Sequence, residues 1–479
     1  MELETVPFIE GADPLNSYFA ERFVKLALTW GNWFMTQVES LKTPVWMQRM
    51  EYIANPVGYW ERAYRAYPDA FWAKGIDFGR PLVVFYTPKA AQEIIENRSR
   101  HLTTTAFDSE LKAIFGDSSF FTLEGMPHLH ARKLLIPMLH GKHIQAYGQL
   151  ICNLVNEVMQ TIPAYQPFSV WETAQDISMQ VMIKLLFGSY HQERYQQIKR
   201  LMVEMVNLFA SNIIGIPLFF RFLQRDLGSI SPWGKFLKQR QQMKALVYGE
   251  IAERRAHRDP KREDLLTLLM SATDEQGNAL SDEELLGQVL SLLFTGNEST
   301  AASIAWSWYR VYCDAEIKAR LLAELNSLGN SPDPLDIIRL PYLSAVCNET
   351  LRMYPVTMFM IPRLVKATTK ISDCQVDPGM LVTVGTYVIH HRQDIYPQPE
   401  IFKPDRFLNH RFSPYEFLPF GGGIRSCIGG DIALYQLKLA LATVVYNYQL
   451  ELANHRPVLP QRRNTILIPM HLRMAKHVA

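Results

Sequence analysis

The chain has 479 residues, of which 48% are hydrophobic and 20% are charged, so it is long enough to bury a large core. Its formal net charge is +2 and no basic block or stripe occurs, which argues against a nucleic-acid-binding protein. Five scattered cysteines share no C-x-x-C spacing, which argues against a disulfide framework or a zinc knuckle and favours a reducing cytoplasm.

The first apolar segment, LALTWGNWFMTQV at residues 26–38, is too short for a membrane anchor. Its thirteen residues include Asn32 and Gln37, whereas a span of the hydrocarbon core needs about 20 apolar residues. No signal-peptide pattern opens the chain. We therefore expect a cytoplasmic protein without a transmembrane anchor, and shallow contact with a membrane surface remains an alternative.

Helical periodicity dominates most of the chain. Apolar residues recur at helical spacing in residues 148–162 and 261–272, and a capping box at Ser281 and Glu284 opens a long apolar run over 280–311. Strand signals concentrate in residues 363–391, where β-branched residues follow an Asp-Pro-Gly turn. These patterns predict a mainly helical fold with a small antiparallel β region, and the even texture predicts one domain over 1–479.

The segment FGGGIRSCIGG, residues 420–430, precedes an apolar helix. It fits neither common phosphate-loop pattern, and a plain glycine turn explains neither Arg425 nor Cys427. A metal-ligating thiolate at the helix N-terminus explains the cysteine, because the helix end would stabilise the thiolate and lower its pKa. The glycines would allow the backbone to approach a large flat group closely.

Phe420, Gly423, Arg425, Cys427 and Gly429 reproduce the spacing F-x-x-G-x-R-x-C-x-G, the haem-binding signature of the cytochrome P-450 family. The chain resembles this family from about residue 120 onward. The resemblance implies the cytochrome P-450 fold, a single large domain with helix-rich and strand-rich parts. It also implies heme b (iron protoporphyrin IX) with Cys427 as the axial thiolate, whose electron donation favours O–O cleavage. Arg425 would contact a haem propionate, and Phe420 would pack near the cysteine side of the haem.

Further haem-binding residues follow from the resemblance. His128 and Arg132 match the family's His-x-x-x-Arg on an early helix, and Arg363 stands where the family places another propionate arginine. Buried carboxylates need such cationic partners.

A structural cluster also follows from the resemblance. Glu349 and Arg352 match the family's Glu-x-x-Arg helix, and Arg406 in FKPDRF supplies the third member. We expect this cluster to serve folding and haem retention.

The segment FTGNESTA within the long helix predicts the catalytic residues. Gly296, Glu298 and Ser299, followed by Thr300, fall on the family's Ala/Gly-Gly-x-Asp/Glu-Thr pattern, in which an acid–alcohol pair relays protons. A glycine inside a helix costs about 1 kcal/mol relative to alanine, and an unpaired buried glutamate is an expensive filler. Relative to the family pattern, Thr295 replaces a small apolar residue and Ser299 replaces threonine. These two departures concern how tightly O2 consumption is coupled to product formation.

The resemblance implies a monooxygenase that inserts one oxygen atom of O2 into a C–H or C=C bond of a small apolar substrate, such as hydroxylation of a fatty acid or terpenoid. No flavin or iron–sulfur pattern is seen, so electrons are expected from a separate ferredoxin or flavodoxin with its reductase. Residues 201–220 would form the pocket roof. The expected pocket lining comprises Phe294, Thr295, Val356, Met358 and Phe359, although core packing would produce the same composition.

Three alternatives remain open at this stage. A peroxygenase driven by hydrogen peroxide would keep the fold, but such members typically lose the acid–alcohol pair. A haem-thiolate sensor or carrier would lack catalysis. A cysteine hydrolase would use Cys427 as nucleophile, but the nearest histidine, His410, has no evident relay partner.

Overall fold

The computed structural model describes residues 38–76, 80–97, 100–103, 112, 115–188, 192–210, 226, 228–273, 277–453, 457–463 and 465–477. Most of the apolar N-terminal segment and residues 211–220 of the predicted roof lie outside the described residues.

Helices make up most of the described chain. In chain order they are α1 Val45–Ala54, α2 Pro56–Ala66, α3 Pro88–Glu96, α4 Gly125–Leu135, α5 Lys142–Gln145, α6 Gly148–Thr161, α7 Val170–Phe187, α8 Gln192–Ala210, α9 Pro232–Ala256, α10 Leu265–Ser271, α11 Asp282–Cys313, α12 Ala315–Asn326, α13 Pro334–Arg339, α14 Pro341–Met353, α15 Thr386–His390, α16 Asp405–Asn409 and α17 Gly430–Asn447.

Helix α11 is the central element of the helical core. The predicted capping box is present. The Ser281 side chain accepts a hydrogen bond from the Glu284 backbone N–H, and the Glu284 side chain accepts one from the Ser281 backbone N–H. Acidic residues in the first turn also complement the positive end of the helix. The helix packs along α7 and touches α14 and α17, and it is buried on nearly every side over residues 285–293 and 300–309. It therefore gives the site a rigid wall.

The strands are short. They are β1 Ala70–Trp72, β2 Leu82–Phe85, β3 Pro167–Ser169, β4 Arg363–Leu364, β5 Thr369–Ile371, β6 Cys374–Val376, β7 Leu381–Val384, β8 Gln449–Leu452, β9 Gln461–Arg463, β10 Ile466–Ile468 and β11 Arg473–His477. The four-stranded sheet has the order β1-β2-β7-β4, a three-stranded sheet has the order β3-β11-β8, and β5-β6 and β9-β10 form pairs.

The β region differs from the sequence prediction in two respects. Strands β2 and β7 pair in parallel, whereas the other named pairs are antiparallel. The strand signal at 363–391 also ends early, because Thr386–His390 forms the short helix α15 after Gly385. All five α15 side chains are buried, so their β-branched and aromatic character serves packing rather than a strand.

The largest cluster of buried hydrophobic side chains lies among the helices, and two smaller clusters flank the four-stranded sheet. Among the residues that the structure describes, no helix has the length and apolar character needed to cross a membrane.

Candidate active site

A cavity of about 480 Å³ lies between α4, α11, the start of α17 and the segment that carries Cys427. Most of the predicted site residues line this one cavity. They are His128, Arg132, Phe294, Thr295, Glu298, Ser299, Thr300, Val356, Arg363, Phe420, Arg425, Cys427 and Gly429.

Met358 and Phe359, which were predicted to line the pocket, are not among the residues around this cavity. Met358 is buried beside the four-stranded sheet, and the Phe359 ring lies 5.7 Å from the Trp60 ring. The backbone explains this placement, because the Met358 carbonyl accepts from Tyr387 and the Met360 N–H donates to Val384. These bonds tie the segment to β7 and α15 and turn both side chains into that core.

The segment that we call the cysteine loop, residues 418–429, carries Cys427 to the N-terminus of α17. The Cys427 N–H donates to the Phe420 carbonyl at 2.8 Å and closes the loop. Gly423 has a φ of +67°, and a Cβ there would lie 2.8 Å from the Ile95 carbonyl oxygen. Both the backbone conformation and the close approach therefore require glycine at this position.

Cys427 lines the cavity, and its side chain is accessible there. Burial raises the pKa of the thiol above its ordinary value, while the Gly429 N–H and the Arg132 charge lower it by less. The expected net lowering of this pKa is therefore not found, because desolvation outweighs the helix end. A metal ion bound to the sulfur would reverse this balance, since coordination deprotonates a thiol.

Two arginines brace the cysteine loop from α4 and from within the loop itself. Arg132 donates to the Ser426 carbonyl and hydroxyl, both at 2.7 Å, directly before Cys427. Arg425 donates to the Phe120 carbonyl at 3.0 Å and to the Leu123 carbonyl. The positions of both guanidinium groups are thus fixed at the cavity wall.

His128 and Arg363 carry buried polar atoms at the same cavity. His128 Nδ1 and Arg363 Nη1 have no hydrogen-bond partner among the described residues, and each residue is 2% exposed. Burial, with the charges of Arg425 and Arg132, lowers the pKa of His128 to about 4. Burial lowers the pKa of Arg363 to about 10. A bound anion would offset the cost of these desolvated groups.

Glu349, Arg352 and Arg406 form a buried ion-pair cluster behind the cysteine loop. Glu349 is bound by Arg352 at 2.7 Å and by Arg406 at 3.2 Å, and the side chains of Glu349 and Arg352 are fully buried. Arg352 also donates to the His390 and Pro399 carbonyls, each at 2.8 Å. The cluster therefore fixes the backbone that leads into the loop.

The catalytic residues predicted on α11 lie side by side at the cavity. The Ser299 hydroxyl donates to the Thr295 carbonyl at 2.6 Å, and Thr300 is buried. A Cβ at Gly296 would lie 2.9 Å from the Met182 thioether, so the glycine lets α7 pack closely against α11. Glu298 is ion-paired with Arg463 of β9, with 2.6 Å between Oε1 and Nε.

The comparison with known families decides the assignment. Residues 62–476 match the family model described as Cytochrome P-450. The chain belongs to the cytochrome P-450 family.

Relatives and solved structures agree with this membership. Cytochrome P-450 137 of Mycobacterium tuberculosis is 30% identical over 360 residues, which is 74% of this chain and 72% of that protein. Cytochrome P-450 138 of the same organism is 28% identical over 377 residues, 78% of this chain and 81% of that protein. The fold is similar to retinoic acid bound cyanobacterial CYP120A1, with a TM-score of 0.77 at 20% identity over 89% of this chain and 96% of that chain. It is equally similar to the P-450DA heme domain, with a TM-score of 0.77 at 20% identity over 92% and 97%.

As a cytochrome P-450, the protein is an oxidoreductase with a haem-thiolate cofactor. The cavity fits that group, because it combines an accessible cysteine sulfur with buried nitrogen atoms of His128 and Arg363 that have no hydrogen-bond partner in the described part of the chain. Haem presents iron for the sulfur and two carboxylates that can accept hydrogen bonds from such nitrogen atoms.

Two residues of this cytochrome P-450 site were not predicted from the sequence. Arg463 pairs with Glu298 from 165 residues away, and His390 Nε2 accepts the Leu418 N–H at 3.0 Å. Neither position belongs to a motif that we recognised. The doubled histidine at 390 and 391 was the only local signal.

Proposed function

We propose that this cytochrome P-450 inserts one oxygen atom of O2 into a C–H or C=C bond of an apolar substrate. The reaction consumes O2, two electrons and two protons and yields the oxygenated product and one water. The observation that carries the proposal is the single cavity shared by Cys427, the cationic residues and the Glu298–Thr300 segment.

Cys427 would hold the haem iron, and His128, Arg132, Arg363 and Arg425 would hold its carboxylates. When bound, the haem supplies the activation of O2 and the transfer of one oxygen atom. The braced cysteine loop keeps the sulfur at a fixed distance from α17, since its backbone bonds and both arginine contacts restrain it.

Glu298 and Ser299 would deliver protons from α11, with Thr300 beside them. A carboxylate can take a proton and pass it to a neighbouring hydroxyl, which donates in turn. The Ser299 hydroxyl donates to the Thr295 carbonyl at 2.6 Å in the present arrangement. Delivery therefore requires the hydroxyl to rotate away from the helix backbone, and serine rotates more freely than threonine. Retention of the acid and the alcohol also favours a monooxygenase over a peroxygenase.

The substrate is proposed to be a fatty acid or a terpenoid. The cavity wall contains apolar side chains such as Phe121, Phe294, Val356 and Ile361, beside the polar and charged residues named above. Such walls accept flexible apolar guests. The similar cyanobacterial structure is bound to retinoic acid, an apolar chain with one carboxylate, which is the same chemical type.

Electrons are proposed to come from a separate ferredoxin or flavodoxin with its reductase, in the cytoplasm. The cytochrome P-450 family model covers residues 62–476. One domain would therefore carry the catalytic site.

The test has two stages. The dithionite-reduced, carbon monoxide-treated protein should show the displaced Soret band of a thiolate adduct, and Cys427→Ala should abolish it while Cys313→Ala should retain it. Titration with dodecanoic acid, hexadecanoic acid, geraniol and farnesol should then produce a low-to-high-spin shift with one class. A normal carbon monoxide spectrum without any shift would refute the substrate class. Absence of the displaced band would refute the haem site.

A further inference from the structure

The carboxylate of Glu298 is held by a guanidinium from a distant part of the chain. Arg463 lies at the end of β9, and its Nε donates to Glu298 Oε1 at 2.6 Å. Both side chains are 13% exposed, so solvent screens this pair much less than a surface pair. A weaker contact comes from α7, where Gln175 Nε2 lies 3.5 Å from the same oxygen.

The same guanidinium also reaches helix α8. Arg463 Nη2 donates to the Asn207 side-chain oxygen at 2.8 Å, and the guanidinium carbon lies 5.8 Å from the centre of the Trp171 ring. Because the guanidinium is planar and its donors have a fixed geometry, one bond constrains the direction of the other. Arg463 therefore joins α8, α11 and the β9–β10 pair through a single rigid group.

Helix α8 also touches the cavity wall at a second point. Met205 is buried in a cluster with Phe115, Trp233 and Phe236, and Phe294 and Leu208 pack against that cluster. Phe294 itself lines the cavity. Helix α8 therefore contacts both the cavity wall, through Phe294, and Arg463, through Asn207.

We propose that Arg463 is a positioning residue that orients the Glu298 carboxylate and couples its orientation to helix α8. The proposal rests on the proposed function of Glu298 as the residue that passes protons to Ser299. Loss of the guanidinium removes the 2.6 Å contact that restrains the Glu298 carboxylate. Loss of Asn207 leaves the ion pair intact but removes its link to α8.

The substitution Arg463→Lys distinguishes the positioning role of Arg463 from simple compensation of the Glu298 charge. Lysine keeps the positive charge, but its ammonium is a point charge without a planar fork. Arg463→Lys is therefore expected to retain part of the effect on Glu298 and to lose the coupling to α8. The neighbouring Arg462 offers a matched control, because its guanidinium lies over the Tyr52 ring at 5.2 Å, away from Glu298.

The functional test uses the haem-loaded full chain without added substrate. Excess ferredoxin and its reductase supply electrons from NADPH, and the rate of NADPH oxidation is measured in H2O and in D2O. Glu298→Gln should slow oxidation by about 100-fold and raise the solvent isotope effect, since a positioned acid or base contributes on that order. Arg463→Gln should slow it by about tenfold, in the range of network couplings, and raise the isotope effect in the same direction. Arg462→Gln should leave both unchanged.

A second readout follows the protein rather than turnover. Hydrogen exchange of peptides that contain Asn207 and of the β9–β10 pair should accelerate in Arg463→Gln, Arg463→Lys and Asn207→Leu, and should stay unchanged in Arg462→Gln. The carbon monoxide spectrum of each variant reports whether the haem site is intact. If Arg463→Gln does not fold, Arg463→Lys and Asn207→Leu still decide the exchange test.

The outcomes distinguish the proton role of Glu298 from the positioning role of Arg463. An unchanged rate and isotope effect in Glu298→Gln would overturn the proposed proton role itself. An effect in Glu298→Gln combined with none in Arg463→Gln, or a faster rate in Arg463→Gln, would overturn the positioning role alone. Equal hydrogen exchange in Asn207→Leu and the parent protein would overturn the coupling to α8.

Discussion

His390 Nε2 accepts the backbone N–H of Leu418 at 3.0 Å, at the start of the cysteine loop. Burial lowers the pKa of His390 well below its ordinary value, with further lowering by the charges of His391 and Arg352. The ring is therefore neutral and can accept at Nε2. Since Arg352 also donates to the His390 carbonyl, this residue connects the ion-pair cluster at Glu349 to the loop that carries Cys427.

Replacing His390 with leucine should loosen the cysteine loop more than it unfolds the protein. The Leu418 N–H would be left buried without an acceptor, which costs about 1–3 kcal/mol. We expect the displaced Soret band of the carbon monoxide adduct to lose intensity in favour of the unshifted form. Glutamine can accept the same N–H, so His390→Gln should restore most of the band.

The control for this variant is His391→Leu, because His391 stacks on Tyr387 and its ring bonds to the Tyr387 carbonyl rather than to the loop. An equal loss of the displaced band in both leucine variants would argue for general destabilisation and against a link through Leu418.

The ion-pair cluster predicts that Glu349→Ala destabilises the protein much more than Asp405→Ala does. Glu349→Ala removes the shared partner of two arginines, and breaking a buried pair in this way costs about 3–5 kcal/mol. Asp405→Ala breaks the half-exposed contact with Arg320, which should cost about 0–1 kcal/mol. Urea unfolding and the haem content of the purified protein measure both. Similar losses of stability and haem content in the two variants would show that the buried cluster contributes no more than the exposed pair.

His391 should make the protein less stable below neutral pH. Burial, with the charge of Arg352, lowers the pKa of His391 to about 3, whereas an unfolded histidine titrates at about 6.5. Between these values the unfolded chain binds a proton that the folded chain does not, so stability falls as pH decreases from about 6.5. The loss between pH 7 and pH 5 is at most about 2 kcal/mol for one such group. Urea midpoints should therefore depend less on pH in His391→Gln than in the parent protein.

The cysteine loop and the long helix could be predicted because their signals are local. The spacing around Cys427 and the capping box at Ser281 occupy neighbouring residues, so the sequence shows them directly. The Glu349–Arg352 pair is likewise local, at i and i+3. The third member, Arg406, which bonds to Glu349 at 3.2 Å, is distant in sequence and was linked to the pair only by resemblance.

The contacts of Arg463 and the placement of Met358 could not be predicted for a common physical reason. The Glu298–Arg463 pair joins two elements 165 residues apart, and no local pattern distinguishes Arg463 from the adjacent Arg462. Met358 is an apolar residue of the type that lines pockets. Backbone hydrogen bonds from its segment to β7 and α15 instead direct its side chain into the cluster beside the four-stranded sheet. Thr386–His390 has strand-forming residues and is helical for the same reason, since tertiary packing overrides local propensity.

Ser299 provides the last test, because it replaces the threonine that is usual at this position in the family. Its hydroxyl lies at the cavity and donates to the Thr295 carbonyl at 2.6 Å. Ser299→Ala removes the hydroxyl that would receive a proton from Glu298, so more of the O2 consumed should be released as hydrogen peroxide and less should form water. Ser299→Thr keeps the hydroxyl but restricts its rotation, so it should release a fraction of peroxide between those of Ser299→Ala and the parent protein.

The measurement is hydrogen peroxide formed per O2 consumed during NADPH-driven turnover, with Ser307→Ala as the matched control. Ser307 lies about two turns further along α11, and its hydroxyl also donates to a backbone carbonyl, that of Ile304, at 2.8 Å. Its loss removes a comparable contact on the same helix without touching Ser299 or the cavity lining. If the three Ser299 forms release the same fraction of peroxide, protons reach the site without this hydroxyl, and the relay must pass from Glu298 through Thr300 or water.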